Sequence, residues 1–253
     1  MNIIVCAKQV VDVSEMKIDS STNKPILQGV PQKISDIDKN ALEEAIKIKE
    51  KNGGKITVLT VGSSNAKERI KELLAMGADE GVLVTASENI DYHMTAVLLS
   101  EAIKKIGNYD LILCGEASVD LFSGQIGPRL AGLLDIPQIT YAQSLTTEKD
   151  KVSADRNMGE KVITSESTYP VLISVTKEIN EPRLPSLMQI LGAANKPINE
   201  WTSDSLSSDL NPLVETVELK GVSMERKNII FKDDLDESVN KLVDNLAKEG
   251  VLG

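Results

Sequence analysis

Residues 115–138 read GEASVDLFSGQIGPRLAGLLDIPQ, and they follow an apolar run, Tyr109 to Cys114. The run reads as a buried strand. Gly115 stops it, a loop of small and polar residues follows, and a helix is expected from about Ser123 to Asp135, with Ile126, Leu130, Leu133 and Leu134 on one face. Strand, loop and helix in that order aim backbone N–H groups and a helix N-terminus at one point, which suits a phosphate. Gly124 and Gly127 permit close backbone approach, and Ser118, Ser123 and Gln125 offer side-chain donors. The loop matches neither the Rossmann glycine pattern nor the P-loop pattern. On its own it reads equally as a nucleotide cradle or as a plain α/β turn.

Outward from this stretch the same unit repeats. Ile3 to Ala7 is an apolar strand, and Asp38 to Lys51 a helix capped by Ser35 or Asp36. Lys17 to Pro31 is a hairpin-like excursion between them. Lys55–Val61, Ala66–Met76, Gly81–Thr85 and Asp91–Ile106 then alternate strand and helix. Such alternation points to a Rossmann-like, doubly wound α/β fold around a mostly parallel sheet. The strand ends at Ala7-Lys8, Val61-Gly62 and Gly115 converge, and ligands of open α/β sheets lie across such ends.

After Gln138 the pattern changes. Ile139–Leu145, Val152–Arg156, Lys161–Ser165 and Val171–Thr176 read as short strands that extend the sheet in an antiparallel or mixed manner. Ser186 caps a short helix to Ala194, and Thr202 to Pro212 reads as a linker. A strand at Val214–Val222 and a helix at Asp234–Glu249 complete the chain. The expected division is a nucleotide-binding domain, 1–200, and a linker with a C-terminal arm, 201–253.

Composition narrows the function classes. The 253 residues carry a net charge of -10, with 41% hydrophobic and 26% charged residues. That disfavours nucleic-acid binding, which needs clustered Lys and Arg. Cys6 and Cys114 lie inside apolar runs and read as reduced core thiols of a cytoplasmic protein. The single His93 anchors no metal site, and no apolar run approaches a membrane span. MNIIVCAKQV enters a strand directly, with no signal-peptide pattern.

Several stretches together resemble the beta subunits of electron transfer flavoproteins. They are Ile4-Val5-Cys6-Ala7-Lys8-Gln9-Val10-Val11-Asp12; Ala41-Leu42-Glu43-Glu44-Ala45; Leu74-Ala75-Met76-Gly77-Ala78-Asp79; the 115–138 stretch with Asp120, Gly124-Gln125, Gly127 and Pro137-Gln138; and Asn180-Glu181-Pro182-Arg183. The resemblance implies an adenine nucleotide alpha hydrolase-like fold with a C-terminal extension, and a heterodimer with an alpha subunit that carries electrons from dehydrogenases or other donors to a membrane-linked quinone oxidoreductase, without inserting in the membrane. It implies FAD shared with alpha and, in beta, AMP or a second, bifurcating FAD. Carried over by position, the nucleotide site comprises Cys6, Ala7, Ser35, Asp36, Ile37, Asp38, Val61, Gly62, Gly115, Glu116, Ala117, Ser118, Val119, Asp120, Ser123, Gly124, Gln125 and Ile126. Asp12 and Val13 correspond to the part that reaches the alpha FAD, although Val13 stands where relatives often carry an aromatic. Leu187 matches an anchor for partner dehydrogenases, with Arg183 in the same docking segment. Arg156 is kept from a family motif whose following acidic position is Asn157 here, and the motif's paired glycines are missing. The chain itself is expected to be non-catalytic. The alternatives are a stand-alone adenine-nucleotide-binding regulator of similar fold, and an adenylate-forming or ATP-hydrolysing enzyme, for which the Ser-Gly-Gly-x-Asp-Ser and Walker motifs are missing.

Overall fold

A computed structural model describes residues 1–87, 90–206, 211–221 and 227–252. The chain runs β1 (Asn2–Cys6), β2 (Gln9–Val11), β3 (Lys17–Ile18), β4 (Pro25–Ile26), β5 (Gln32–Ile34), α1 (Asp36–Asn52), β6 (Lys55–Gly62), α2 (Ala66–Met76), β7 (Glu80–Thr85), α3 (Tyr92–Ile106) and β8 (Leu111–Gly115). It continues α4 (Ile126–Leu134), β9 (Gln138–Thr147), β10 (Lys151–Asn157), β11 (Val162–Thr168), β12 (Val171–Val175), α5 (Leu187–Ala193), β13 (Ile198–Thr202) and α6 (Leu235–Lys248). Nine strands form one sheet in the order β11-β10-β9-β12-β8-β1-β6-β7-β13. From β9 to β13 every neighbour is parallel, and β10 and β11 extend the β9 side antiparallel.

Alternation along the strands divides the core. Ile3 and Val5 of β1 pack with α1 and α2 on one face, while Ile4 and Cys6 pack with α3 and α4 on the other. Both faces are covered, which is why these strands are apolar almost throughout. The strand order reverses between β1 and β8, with β6 and β7 following on one side and β12 on the other. Chain leaving β1 goes to α1's face, and chain leaving β8 goes to α4's face. A crevice therefore opens above the C-terminal ends of these two strands.

Three sequence expectations are corrected here. The helix expected from Ser123 begins at Ile126, because Gly124 takes φ +64° and keeps residues 116–125 as loop. Leu133 is exposed at 39% rather than sharing the buried stripe of Leu130. Val214–Gly221 forms no strand; the N–H groups of Leu213 and Val214 are taken by Asp91 Oδ2 and that of Gly221 by Asn23 O. Val222, and residues 207–210 of the expected linker, lie outside the described residues. β13, unforeseen, pairs parallel with β7 at the sheet edge. Among the described residues no helix is long and apolar enough to cross a membrane.

Candidate functional site

The C-terminal ends of β1, β6 and β8 open into a cleft of about 420 Å³, within the range of small-molecule sites. Cys6, Ala7 and Lys8 form part of its floor with Cys114 and Gly115, while Val61 and Gly62 flank them. Glu116, Ala117, Ser118, Asp120, Ser123, Gly124, Gln125 and Ile126 supply the loop wall. Asp38 reaches the floor from the first turn of α1.

The remaining expected residues lie behind or beyond this wall. Ser35 is fully buried at the N-cap position of α1, but its side chain makes no capping bond; its Oγ accepts a long bond from Val119 N at 3.4 Å. Asp36 points to Lys33, at 2.9 Å, and Ile37 packs beneath Gly115. Asp12 accepts from Ser14 and lies 3.5 Å from Lys33 Nζ, and Val13 is exposed at the end of the β2 arm. Arg183 donates to Glu43 and Glu50 on α1, so its guanidinium is engaged away from the cleft. Leu187, the first residue of α5, is 71% exposed beside exposed Leu184, Met188 and Leu191. That helix is held by a capping box between Ser186 and Gln189.

One wall escaped the sequence. Ser87, Ile90, Tyr92, Thr95 and Leu99 also line the cleft. They follow the third parallel strand and open a helix whose cap, Asp91, accepts from Met94 N at 2.8 Å. That cap signature was the available signal.

The floor is buried and acidic. Asp38 Oδ2 accepts from Lys8 N at 2.8 Å, and Oδ1 accepts from Gly115 N at 3.0 Å. Burial pushes its carboxyl up to about 7 despite these bonds. Burial also pushes the Cys6 thiol up to about 12 and raises that of Cys114, with each thiol further raised by Asp38. Across the cleft Lys8 Nζ meets Asp120 Oδ2 at 2.6 Å. Glu116 is raised by desolvation and by nearby Glu178.

This donor set fits an adenine nucleotide. The first turn of α4 has no side-chain cap, leaving N–H groups suited to a phosphate. Ser118, Ser123 and Gln125 stand beside it. Gln9 Oε1 is buried without a partner among the described residues, an acceptor suited to an exocyclic amine N–H. Apolar Val61, Ile90, Leu99 and Ile126 supply surface for a base. Among the described residues no cluster of three or more His, Cys, Asp or Glu is arranged to hold a metal ion.

A family model described as the electron transfer flavoprotein domain matches residues 25–206. An electron transfer flavoprotein subunit beta of Thermoanaerobacterium thermosaccharolyticum is 41% identical over 261 residues, covering 100% of both chains. One of Bacillus subtilis is 36% identical over 256 residues, covering 98% of both. The caffeyl-CoA reductase-Etf complex subunit CarD of Acetobacterium woodii is 38% identical over 209 residues, covering 81% of this chain and 80% of that one.

Proposed function

The chain belongs to the electron transfer flavoprotein family, among its beta subunits, and on that premise we propose that it pairs with an alpha subunit to carry electrons between dehydrogenases or other donors and a membrane-linked quinone oxidoreductase. FAD held between the two subunits supplies the redox chemistry. The chain's own residues bind, position and dock. The cleft above β1, β6 and β8 takes AMP or a second FAD, with the phosphate at the 116–126 loop. The working compartment is the cytoplasm.

The observation that carries this reading is a cleft built at the strand-order reversal from the residues the family motifs carry. Two surfaces support the need for partners. Residues after Thr202 act as an arm on the alpha subunit, Trp201 and Thr202 being held in β13: every residue of α6 is at least partly exposed, and Leu235, Val239, Leu242 and Val243 leave apolar surface open. Leu187 and its neighbours form a second apolar patch, for a dehydrogenase. Such surfaces mark interaction sites. Asp12 and Val13 extend toward the alpha FAD.

Denaturing the purified heterodimer and separating the released nucleotides tests the reading. One FAD with one AMP is the outcome for a simple carrier, and about two FAD that for a bifurcating one. Interface FAD with no second nucleotide overturns the cleft assignment. A stand-alone regulator, by contrast, yields a colourless protein when co-expressed with an alpha subunit.

A further inference from the structure

Asp38 bridges the place where the sheet divides. The segments leaving β1 and β8 go to opposite faces, so nothing in the ladder beyond Cys6 and Cys114, which share one register, holds the two strand ends together. Past that pair Ala7 N turns to Leu59 O of β6, while Lys8 N and Gly115 N each donate to a different oxygen of the Asp38 carboxylate. The fit is close: a Cβ on Gly115 would stand 2.7 Å from Asp38 Oδ1 and 3.0 Å from Ile37 Cγ2. Lys8 also carries the ammonium that meets Asp120 in the loop wall. One carboxylate on α1 therefore sets the spacing of both strand ends and, through Lys8, the stance of the loop.

We propose that Asp38 is a positioning residue for the nucleotide site: its ionised carboxylate clamps the ends of β1 and β8 at the spacing the 116–126 loop needs to hold a nucleotide. This rests on the nucleotide reading given above. Each amide meets its own carboxylate oxygen, and bonds to the charged group are the stronger kind. Once the group is protonated, the oxygen that carries the hydrogen becomes a weaker acceptor and both bonds lose the assistance of the charge. An asparagine in its place is permanently uncharged and turns an N–H, not an acceptor, toward one of the two amides. The groups facing Asp38 are Lys8 and Cys6 on β1, Cys114 on β8 and Asp120 in the loop; on its own helix Asp36 is paired outward with Lys33. Burial opposes ionisation and Asp120 reinforces it, while the two amides and Lys8 favour the charged form. The carboxyl, pushed up to about 7, changes state near neutrality.

The test is calorimetric titration of AMP into the full-length chain, freed of nucleotide, from about pH 5.5 to about pH 8.5. Wild-type affinity is expected to rise roughly tenfold across that range, the effect of one restored buried hydrogen bond. Asp38→Asn is expected to stay near the weak acid limit throughout. The AMP phosphate titrates near pH 6, but it does so with both proteins and cancels in the ratio of their affinities. A wild-type profile no steeper than ionisation of the AMP phosphate alone produces overturns the proposal, and needs no variant. So does Asp38→Asn binding as tightly as wild type at the alkaline end. Wild type that binds no AMP at any pH overturns the nucleotide reading and this proposal together, a result distinct from tight but pH-independent binding.

Discussion

Arg183 Nε donates to Glu43 Oε2 at 2.9 Å, joining residues 140 positions apart. Glu43 is almost wholly buried, and Arg183 continues to Glu50 at 2.6 Å. Beside them Asn180 and Asn40 exchange hydrogen bonds, so the Asn180–Arg183 segment is tied to α1 at both ends. Arg183→Met leaves a buried carboxylate unpaired. Full burial of such a defect costs about 3–5 kcal/mol; with Arg183 one-third exposed, about 1–3 kcal/mol is expected. Urea unfolding measures it, and an unchanged midpoint contradicts the pairing.

Asp38 also fixes the direction of a stability profile. Its carboxyl is raised from 3.8 to about 7 in the fold, so the folded chain holds the proton more tightly than the unfolded chain does. The wild type therefore loses stability relative to Asp38→Asn as pH rises from about 4 to about 7, and the difference levels off above that. Unfolding midpoints of the two proteins at acid and alkaline pH check the sign. A clamp needed in its ionised form thus weakens the fold that carries it.

Leu187 is 71% exposed, so Leu187→Ala is expected to leave the melting temperature almost unchanged. Burial of that side chain against a dehydrogenase contributes roughly 1.5–3 kcal/mol, one to two orders of magnitude in affinity. Partner-dependent flavin reduction falls accordingly while flavin content holds. A loss of stability without a selective loss of electron transfer rules out the docking role.

Deleting Val214 to Gly253 removes α6 and its exposed apolar stripe while sparing β13. The shortened chain is expected to keep a cooperative unfolding transition but no longer to co-purify with an alpha subunit. Undiminished co-purification places the subunit contact elsewhere.

The two thiols are buried and raised, Cys6 to about 12. An aromatic disulfide reagent at mildly alkaline pH should label neither in the native chain and both after unfolding. Rapid native labelling of either one shows the cleft floor open to solvent.

Much of this was readable before folding. The apolar runs of β1, β6 and β8 announce strands covered on both faces, and Gly115 locates the loop they lead into. Asp38 reads, in sequence, as an acidic residue suited to a helix N-terminus; only the approach of β8 to α1 turns it inward. β13, Ile198 to Thr202, is half polar because it lies at an edge, and periodicity cannot tell such a strand from a linker. Val214–Gly221 shows the converse error: its alternation suits a strand, but it pairs with no sheet edge. Asp91 marks the start of α3 in the sequence, but that Tyr92 and Thr95 face the cleft is set by tertiary approach.

The order of the strands also has a consequence for synthesis. β1 leaves the ribosome before either of its neighbours, yet it occupies the middle of the sheet, between β6 and β8, which are complete only at Gly62 and Gly115. Through the interval between emergence of β1 and of β8, on the order of ten seconds at ordinary elongation rates, an apolar segment waits with one or both edges open. A central strand is thus left unsealed until Gly115 has been made, and the nascent chain depends on whatever shields it meanwhile.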